Sequence, residues 1–190
     1  MKVPVGVSAR HVHLTKDAYM KLFGNDNLEI MRILDQPTQF ASTSMVNIRC
    51  GENEISNVRV LGPFRDYNQV EISRTDAYKL KVNPPIRESG NVDGSEPVTI
   101  IGPMGEVSLE QGLIIANRHI HITPSDVQKY GLNNVPKVCI KVDGEKGGIL
   151  KNIYLKPSED AGFRLHLDTD DANSFNLKND DEVEILIERR

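Results

Sequence analysis

The five histidines of this chain lie in two short motifs and one related segment. Arg10–His13 has the sequence RHVH, Arg118–His121 has the sequence RHIH, and the fifth histidine is His166. In an extended strand, residues two positions apart project from the same face, so each His-x-His pair directs two imidazoles toward one point. Imidazole nitrogens are common ligands of zinc and other transition metals. The histidine pattern therefore predicts a metal site.

Composition excludes several classes of protein. The 190 residues include 38% apolar and 26% charged side chains, as in an ordinary globular protein, and the net charge of −4 gives no general attraction to nucleic acid or anionic membrane. Cys50 and Cys139 form no Cys-x-x-Cys motif, so we expect neither a disulfide framework nor a cysteine-rich zinc module. No apolar run approaches the roughly 20 residues of a membrane span, and Met1–Val7 alternates like a strand rather than a signal peptide. We expect a cytoplasmic protein that binds neither nucleic acid nor membrane.

An internal repeat organises the chain. Four segments share an apolar alternating strand, then a Ser, Thr or Asp, then a short helical stretch. They are Val5–Leu22, Asn68–Leu80, Ile114–Tyr130 and Phe163–Leu177. The side-chain oxygens that could cap these helices belong to Thr15, Ser73, Thr123 and Asp168. Pro124, directly after Thr123, suits the first helical position.

Alignment of the four repeats on these caps extends the set of candidate ligands. The residues two positions before the caps are His13, Glu71, His121 and His166, and those four positions before are His11, Gln69, His119 and Arg164. Duplication of one strand would explain why His-x-His occurs twice. It does not explain why histidine is confined to the aligned segments, nor why the remaining two repeats offer a glutamate and a histidine at the matching position.

The six candidate ligands suit zinc, since they provide nitrogen and oxygen without thiolate. They are too many for one tetrahedral ion and match two ions with three protein ligands each. A three-ligand site keeps one coordination position for water or substrate, which favours catalysis over a closed structural site. The alignment alone does not divide the ligands between the two ions.

The intervening segments predict further short strands, bounded by Gly, Pro, Asn or Asp. These are Val46–Cys50, Val58–Pro63, Val98–Pro103, Val138–Val142, Ile149–Leu155 and Glu182–Ile187. Asn83–Pro97 is predicted to be a long polar loop. Regularly spaced short strands with few helices favour β-barrels over a parallel α/β sheet, so the predicted fold is mainly β with short helices.

The predicted site also includes an arginine. Arg65 lies in the sequence GPFRDY, shortly before Glu71, and a planar guanidinium beside a metal is suited to bidentate capture of phosphate or carboxylate. Arg10 and Arg118 directly precede the His-x-His pairs. Because neighbouring residues of a strand point in opposite directions, these two arginines should face away from the adjacent histidines, and we do not assign them to the site.

Four motifs together resemble one known family. They are VPVGVSARHVHLT (Val3–Thr15), GPFRDYNQVEISRTDAY (Gly62–Tyr78), ANRHIHITPSD (Ala116–Asp126) and, more weakly, FRLHLDTDDAN (Phe163–Asn173). In this order, and spanning nearly the whole chain, they resemble the PduL-type phosphotransacylases, also called phosphate propanoyltransferases. Each motif alone would be a weak signal, but the combination is specific.

The resemblance implies an activity, a fold and a division of the ligands. The implied reaction interconverts short-chain acyl-CoA (propanoyl-CoA or acetyl-CoA) plus phosphate with acyl phosphate plus CoA, by direct transfer without an acyl-enzyme. The implied fold is two small β-barrels built from the repeated strand–helix unit, comprising residues 1–9 with 117–190 and residues 10–116, with the active site between them. The implied roles are one zinc ion on His11, His13 and Glu71, a second zinc ion on His119, His121 and His166, phosphate binding by Arg65, and Ser8 close to the first zinc.

Two other functions are compatible with the same residues. A binuclear zinc hydrolase of phosphate esters or amides could use the metal ions and Arg65 to position an attacking water. A zinc-stabilised β-barrel interaction module would have closed sites and would unfold on chelation. The family resemblance favours the acyltransferase and further implies a homodimer. It assigns no CoA-binding residue.

Some relatives of this type carry an N-terminal amphipathic extension that directs them to bacterial microcompartments. Here the first strand is predicted to begin by about Val3, so the sequence shows no such extension. A free cytoplasmic role is therefore expected, and microcompartment association stays an alternative.

Overall fold

The computed structural model describes residues 1–36 and 38–187 of the chain. These residues form short strands and four short helices, so the predicted fold class is confirmed. None of the described helices has the length and apolar character needed to cross a bilayer. The strands are β1 (Lys2–Ser8), β2 (His11–His13), β3 (Ile30–Ile33), β4 (Phe40–Cys50), β5 (Asn53–Gly62), β6 (Gln69–Glu71), β7 (Ile86–Arg87), β8 (Glu96–Ile101), β9 (Glu106–Ala116), β10 (His119–Ile122), β11 (Lys137–Val142), β12 (Gly148–Pro157), β13 (Arg164–Asp168) and β14 (Glu182–Leu186). The helices are α1 (Lys16–Phe23), α2 (Arg74–Leu80), α3 (Pro124–Lys129) and α4 (Thr169–Ser174).

The chain divides into two compact units. The central unit is Ala9–Ala116, and the terminal unit combines Met1–Ser8 with the residues from Asn117 onward. Each unit contains one closed barrel of six strands, as the family resemblance implied.

The barrel of the central unit runs in the order β4–β5–β2–β6–β9–β8 and closes where β8 pairs with β4. Strand β2 is parallel to β5 and antiparallel to β6. Val12 of β2 and Val70 of β6 are fully buried in the apolar core. Because strand side chains alternate, the histidines of β2 and Glu71 of β6 project from the opposite face of these strands.

The barrel of the terminal unit runs in the order β1–β13–β10–β12–β11–β14 and is also closed. Strand β10 is parallel to β12 and antiparallel to β13. Ile120 of β10 and Leu165 of β13 are fully buried in its core. The alternating positions on the other face are occupied by His119, His121 and His166.

The two barrels repeat one another strand by strand. Strand β2 corresponds to β10, β5 to β12 and β6 to β13, with the same parallel and antiparallel pairings. Even a local irregularity recurs, since Asn57 of β5 and Asn152 of β12 both adopt positive φ, at 60° and 59°. Asparagine tolerates this left-handed conformation better than most residues. The duplication therefore covers whole barrels and extends beyond the histidine motifs.

In each barrel, one strand directly precedes, along the chain, a strand that belongs to the other barrel. Strand β1 directly precedes β2, yet it pairs with β13 and β14 of the terminal barrel. Strand β9 directly precedes β10, yet it pairs with β6 and β8 of the central barrel. The chain thus passes from one unit to the other at equivalent points, just before each Arg-His-x-His motif.

The four predicted helix caps are confirmed. The side chains of Thr15, Ser73, Thr123 and Asp168 accept hydrogen bonds from the backbone N–H groups three residues further on. Pro124 occupies the first helical position, as predicted. Since isolated helices of six to eight residues are unstable, these caps and the contacts with the barrels define where each helix begins.

Several strand boundaries differ from the prediction, and β4 and β5 also begin earlier than predicted. Strand β3 was not predicted, and the expected loop Asn83–Pro97 contains the two-residue strand β7. Strand β9 begins at Glu106, well before the predicted start at Ile114. Its first half, EVSLEQG, is mostly half-buried or exposed, so it lacks the continuous apolar signal of a core strand.

Candidate functional site

The first cluster, called the central cluster, consists of His11, His13 and Glu71. His11 lies directly opposite Glu71 across the antiparallel pair β2–β6. Its Nε2 is 3.4 Å from Glu71 Oε2, and His13 Nε2 is 3.9 Å from Glu71 Oε1. One ligand atom from each residue lies within 4.8 Å of the others, and all three residues are buried. The structure therefore brings together the three residues that the resemblance assigned to one zinc ion.

The second cluster, called the terminal cluster, consists of His119, His121 and His166. His119 lies opposite His166 across the antiparallel pair β10–β13, the same register that joins His11 to Glu71. The Nε2 atoms of His119 and His121 are 3.1 Å apart, and the three ring centroids are separated by 4.8, 4.9 and 5.2 Å. The ligand atoms again lie within 4.8 Å of one another. The second set of predicted ligands is thus also assembled.

A backbone carbonyl orients the first histidine of each pair. His11 Nδ1 is 2.9 Å from the carbonyl oxygen of Ala9, and His119 Nδ1 is 2.8 Å from that of Asn117. A carbonyl oxygen can only accept, so in both rings Nδ1 carries the hydrogen and donates it. Nε2 is then left with its lone pair directed into the cluster, which is the usual arrangement for a histidine that binds a metal.

Gln69 supports the carboxylate of the central cluster. Its Nε2 donates to Glu71 Oε1 at 2.7 Å, and its Oε1 accepts from the backbone N–H of Gly90 at 2.8 Å. Gln69 is fully buried, and the hydrogen bond from Gly90 connects its amide to the loop after α2. The alignment of the repeats includes Gln69, but the sequence alone predicts no role for it. The signal was that Gln69 lies two residues before Glu71 and shares its face of the strand.

The two clusters differ in charge. Burial alone would raise the pKa of Glu71, but the nearby His11 and His13 hold that pKa well below its usual range. Burial likewise opposes the charged form of His11, yet the Glu71 carboxylate outweighs burial and raises the pKa of His11. In the terminal cluster, burial together with the charges of His119 and Lys156 lowers the pKa of His121 to about 3. His121 is therefore a neutral imidazole at physiological pH, the form that binds metals.

The donor sets of both clusters fit a zinc ion. The central cluster offers two imidazole nitrogens and one carboxylate, and the terminal cluster offers three imidazole nitrogens. Both are known combinations for zinc sites with three protein ligands, which leave a coordination position for another molecule. The fit supports the predicted zinc ions, whose presence and number stay predictions.

Arg65 lies beside the central cluster. It belongs to the loop between β5 and β6, and its backbone N–H donates to the carbonyl oxygen of Leu14 at 2.9 Å. Leu14 directly follows His13, and the positive charge of Arg65 acts to lower the pKa of His11. The buried Nε of Arg65 has no hydrogen-bond partner among the described residues. A donor is thus available near the predicted zinc ligands.

Ser8 and the two cysteines complete the set of residues singled out from the sequence. Ser8 is the last residue of β1 and lies opposite Asp168, the N-cap of α4; its expected proximity to the first zinc stays a prediction. Cys50 and Cys139 are buried free thiols. Burial and the neighbouring Glu96 raise the pKa of Cys50 to about 11, so its thiol is protonated and a poor nucleophile.

Comparison with known proteins agrees with the motifs. A family model described as phosphate propanoyltransferase matches residues 4–178. A phosphate propanoyltransferase of Rhodobacter capsulatus is 42% identical over 94% of this chain and 83% of its own length. Proteins of the same name from Thermotoga maritima and Citrobacter freundii are 44% and 37% identical, over 96% and 99% of this chain and 88% and 90% of their own lengths. With this extent of similarity, the chain belongs to the phosphate propanoyltransferase family.

Proposed function

We propose that the chain interconverts short-chain acyl-CoA plus phosphate with acyl phosphate plus CoA. The observation that carries this proposal is the pair of three-ligand clusters, one on each repeated barrel, in a member of the phosphate propanoyltransferase family. The name of the relatives supports the propanoyl group as the acyl substrate. We propose acetyl-CoA as a second short-chain substrate.

In this proposal each cluster binds one zinc ion. His11, His13 and Glu71 hold the first, and His119, His121 and His166 hold the second. When bound, the ions supply positive charge that favours phosphate binding and stabilises negative charge on a reacting oxygen. The backbone carbonyls of Ala9 and Asn117 keep Nε2 of His11 and His119 available for this purpose.

Arg65 is the proposed phosphate-binding residue. Its positive charge acts on His11, and its buried Nε has no hydrogen-bond partner among the described residues. A guanidinium donates two parallel hydrogen bonds to phosphate oxygens, so it can both bind the anion and fix its orientation. A phosphate bound in this way retains a further oxygen that can attack the thioester carbonyl.

We further propose direct transfer between the two substrates. The phosphate oxygen forms a bond to the thioester carbonyl carbon, the carbon–sulfur bond breaks, and CoA leaves as a thiolate that takes up a proton. No cysteine belongs to either cluster, and the thiol of Cys50 is protonated. A covalent acyl adduct on the protein, formed from propanoyl-CoA in the absence of phosphate and detected by mass spectrometry, would contradict direct transfer. A cytoplasmic homodimer is part of the same proposal.

The test is an assay of purified protein with propanoyl phosphate, in the presence and absence of CoA, together with measurement of zinc in the same samples. CoA-dependent release of phosphate with an equal yield of propanoyl-CoA is the expected result. Release of phosphate without CoA would instead identify a zinc hydrolase. If the protein binds zinc but releases no phosphate from propanoyl phosphate, with or without CoA, the result would point to an interaction module. It would overturn the proposed activity.

A further inference from the structure

Two arginine–aspartate ion pairs occupy equivalent positions beside the two clusters. Arg10 Nη1 donates to Asp76 Oδ1 at 3.0 Å. Arg118 donates to Asp171 twice, from Nε to Oδ2 at 2.8 Å and from Nη2 to Oδ1 at 2.7 Å. Strand alternation predicts that both arginines face away from the adjacent histidines, and in the structure they contact these two aspartates.

In the central unit, this ion pair connects the two strands that carry the ligands. Arg10 directly precedes His11 of β2. Asp76 is the third residue of α2, and its backbone N–H donates to the N-cap Ser73, which follows Glu71 by two residues. The arginine at the start of one strand is thus tied to the helix that begins just after the opposite strand.

The terminal unit repeats this arrangement. Arg118 directly precedes His119 of β10. Asp171 is the third residue of α4, and its backbone N–H donates at 2.8 Å to the N-cap Asp168, which follows His166 by two residues. The same ion pair is thus retained in both copies of the duplicated barrel, in the same position relative to the candidate ligands.

The arginines also affect how the neighbouring imidazole rings are oriented. The carbonyl that accepts from His11 Nδ1 belongs to Ala9 and shares its peptide plane with the nitrogen of Arg10. The carbonyl of Asn117 bears the same relation to Arg118 and His119. An arginine side chain anchored on an aspartate restrains that peptide plane, and with it the carbonyl that orients the ring.

We propose that Arg10–Asp76 and Arg118–Asp171 are positioning pairs that keep the opposed ligands of each cluster at the spacing and orientation needed for metal binding. This inference rests on the zinc sites of the proposed function. None of the four residues belongs to the two ligand clusters, so the proposed role is exerted through the ligands.

The two pairs differ in a way that provides an internal comparison. Arg118 forms a two-pronged contact with Asp171, and its Nη1 also donates to the carbonyl of Lys151 at 3.1 Å. Arg10 donates to Asp76 through Nη1 alone, and its Nε has no hydrogen-bond partner among the described residues. Lysine can replace a single contact but not a planar fork. Arg10→Lys should therefore preserve the site, whereas Arg118→Lys should impair it.

The test measures zinc affinity by competition with a chromogenic chelator, alongside melting temperature, for the alanine and lysine variants of both arginines. The affinity for one of the two zinc ions should fall by about 10–100-fold in Arg10→Ala, Arg118→Ala and Arg118→Lys. Arg10→Lys should bind zinc with the affinity of the wild type. The visible spectrum of the cobalt-substituted protein, which reports ligand geometry, should change in the same three variants. Arg49→Ala, which removes the exposed ion pair with Glu106, is the matched control and should leave zinc affinity unchanged.

The outcomes separate this inference from the proposed function. A wild-type protein that binds no zinc would overturn both. A wild-type protein that binds two zinc ions, with unchanged affinity in Arg118→Ala and Arg118→Lys, would overturn the positioning role alone. The same result follows if Arg49→Ala weakens zinc binding as much as Arg118→Ala does.

Discussion

At the scale of single residues, the terminal cluster is defined by three imidazoles without a carboxylate. The Nε2 atoms of His119 and His121 lie 3.1 Å apart, and the pKa of His121 is lowered to about 3. Neutral imidazoles held this close can share one hydrogen, but only a cation makes use of all their lone pairs at once. The cluster is therefore better explained as a metal site than as a structural hydrogen-bond network.

Removal of one imidazole tests this conclusion. His119→Ala should bind one zinc ion per chain in place of the two proposed, and its acyltransferase activity should fall by more than about 100-fold, because loss of a ligand exceeds the effect of losing a ligand's supporting partner. Elemental analysis and the propanoyl phosphate assay on the same preparation provide the measurement. Lys178→Ala, an exposed substitution in the same unit, is the control. Full zinc content in His119→Ala would remove this residue from the site.

The role of Arg65 is tested by the KM for phosphate, because this residue is proposed to bind substrate and not metal. Arg65→Ala should keep both zinc ions but lose about 2–4 kcal/mol of phosphate interaction, raising the KM for phosphate by about 30-fold or more. Steady-state kinetics with phosphate as the varied substrate gives this value. Arg74→Ala removes an exposed arginine side chain that donates to Asn83 and serves as the control. An unchanged KM for phosphate would exclude the proposed role.

The residues that sequence analysis identified and those it missed differ in kind. The six candidate ligands could be predicted because two-residue spacing on a strand and alignment on the helix caps are local features. Gln69, Arg10 and Arg118 were missed as supporting residues, because their roles depend on partners that are distant in sequence: Gly90, Asp76 and Asp171. The division of the ligands between two ions also depends on strand pairing, and before the structure only the family resemblance provided it.

At the scale of secondary structure, each short helix begins at a cap that follows a ligand-bearing strand. Ser73 illustrates the consequence, because its Oγ accepts from the backbone N–H of Asp76, the residue that also pairs with Arg10. The cap therefore defines the start of α2 and also the placement of an aspartate beside the central cluster. Caps were predictable from residue type, whereas the pairing of Asp76 was not.

Loss of this cap should have a moderate effect on stability. Ser73→Ala should lower the free energy of unfolding by about 1 kcal/mol, since a backbone N–H at the start of α2 loses its acceptor. Urea unfolding of metal-free protein measures this without a contribution from zinc binding. Lys79→Ala, an exposed change on the same helix, should have a smaller effect. Equal stability of Ser73→Ala and wild type would show that barrel contacts alone define where α2 begins.

At the scale of the whole molecule, each barrel has its own apolar core. The central core includes Val12, Val60 and Ile100, and the terminal core includes Ile120, Ile140 and Leu165. Neither apolar core includes a candidate metal ligand. The fold is therefore expected to be stable without zinc, unlike small zinc modules in which the metal replaces a core.

Because the fold is expected to be stable without zinc, removal of zinc by a chelator should abolish activity without unfolding the protein. Treatment with EDTA should abolish acyl transfer while the far-ultraviolet circular dichroism spectrum retains its β signature, and added zinc should restore the activity. Magnesium, which prefers oxygen ligands, should not restore it. Unfolding on chelation would favour the zinc-stabilised interaction module over the enzyme.

The exchanged strands predict how fragments behave. Residues 9–116 contain all six strands of the central barrel, so this fragment should fold alone. Residues 117–190 lack β1, which leaves β13 and β14 without a partner between them, and this fragment should be unfolded or aggregated. Addition of residues 1–8 as a peptide should restore its structure. Amide-proton NMR spectra of the fragments test this, and a folded 117–190 fragment without the peptide would contradict the prediction.

The same exchange has a consequence for synthesis on the ribosome. Strand β1 is translated before the other described strands, but its partners β13 and β14 are the last of the described strands to be made. The central barrel can close as soon as β9 emerges, while β1 waits with its hydrogen-bonding edges unsatisfied. Strand β1 can thus enter a sheet only after β13 and β14 have been made, so the terminal barrel is completed well after the central barrel.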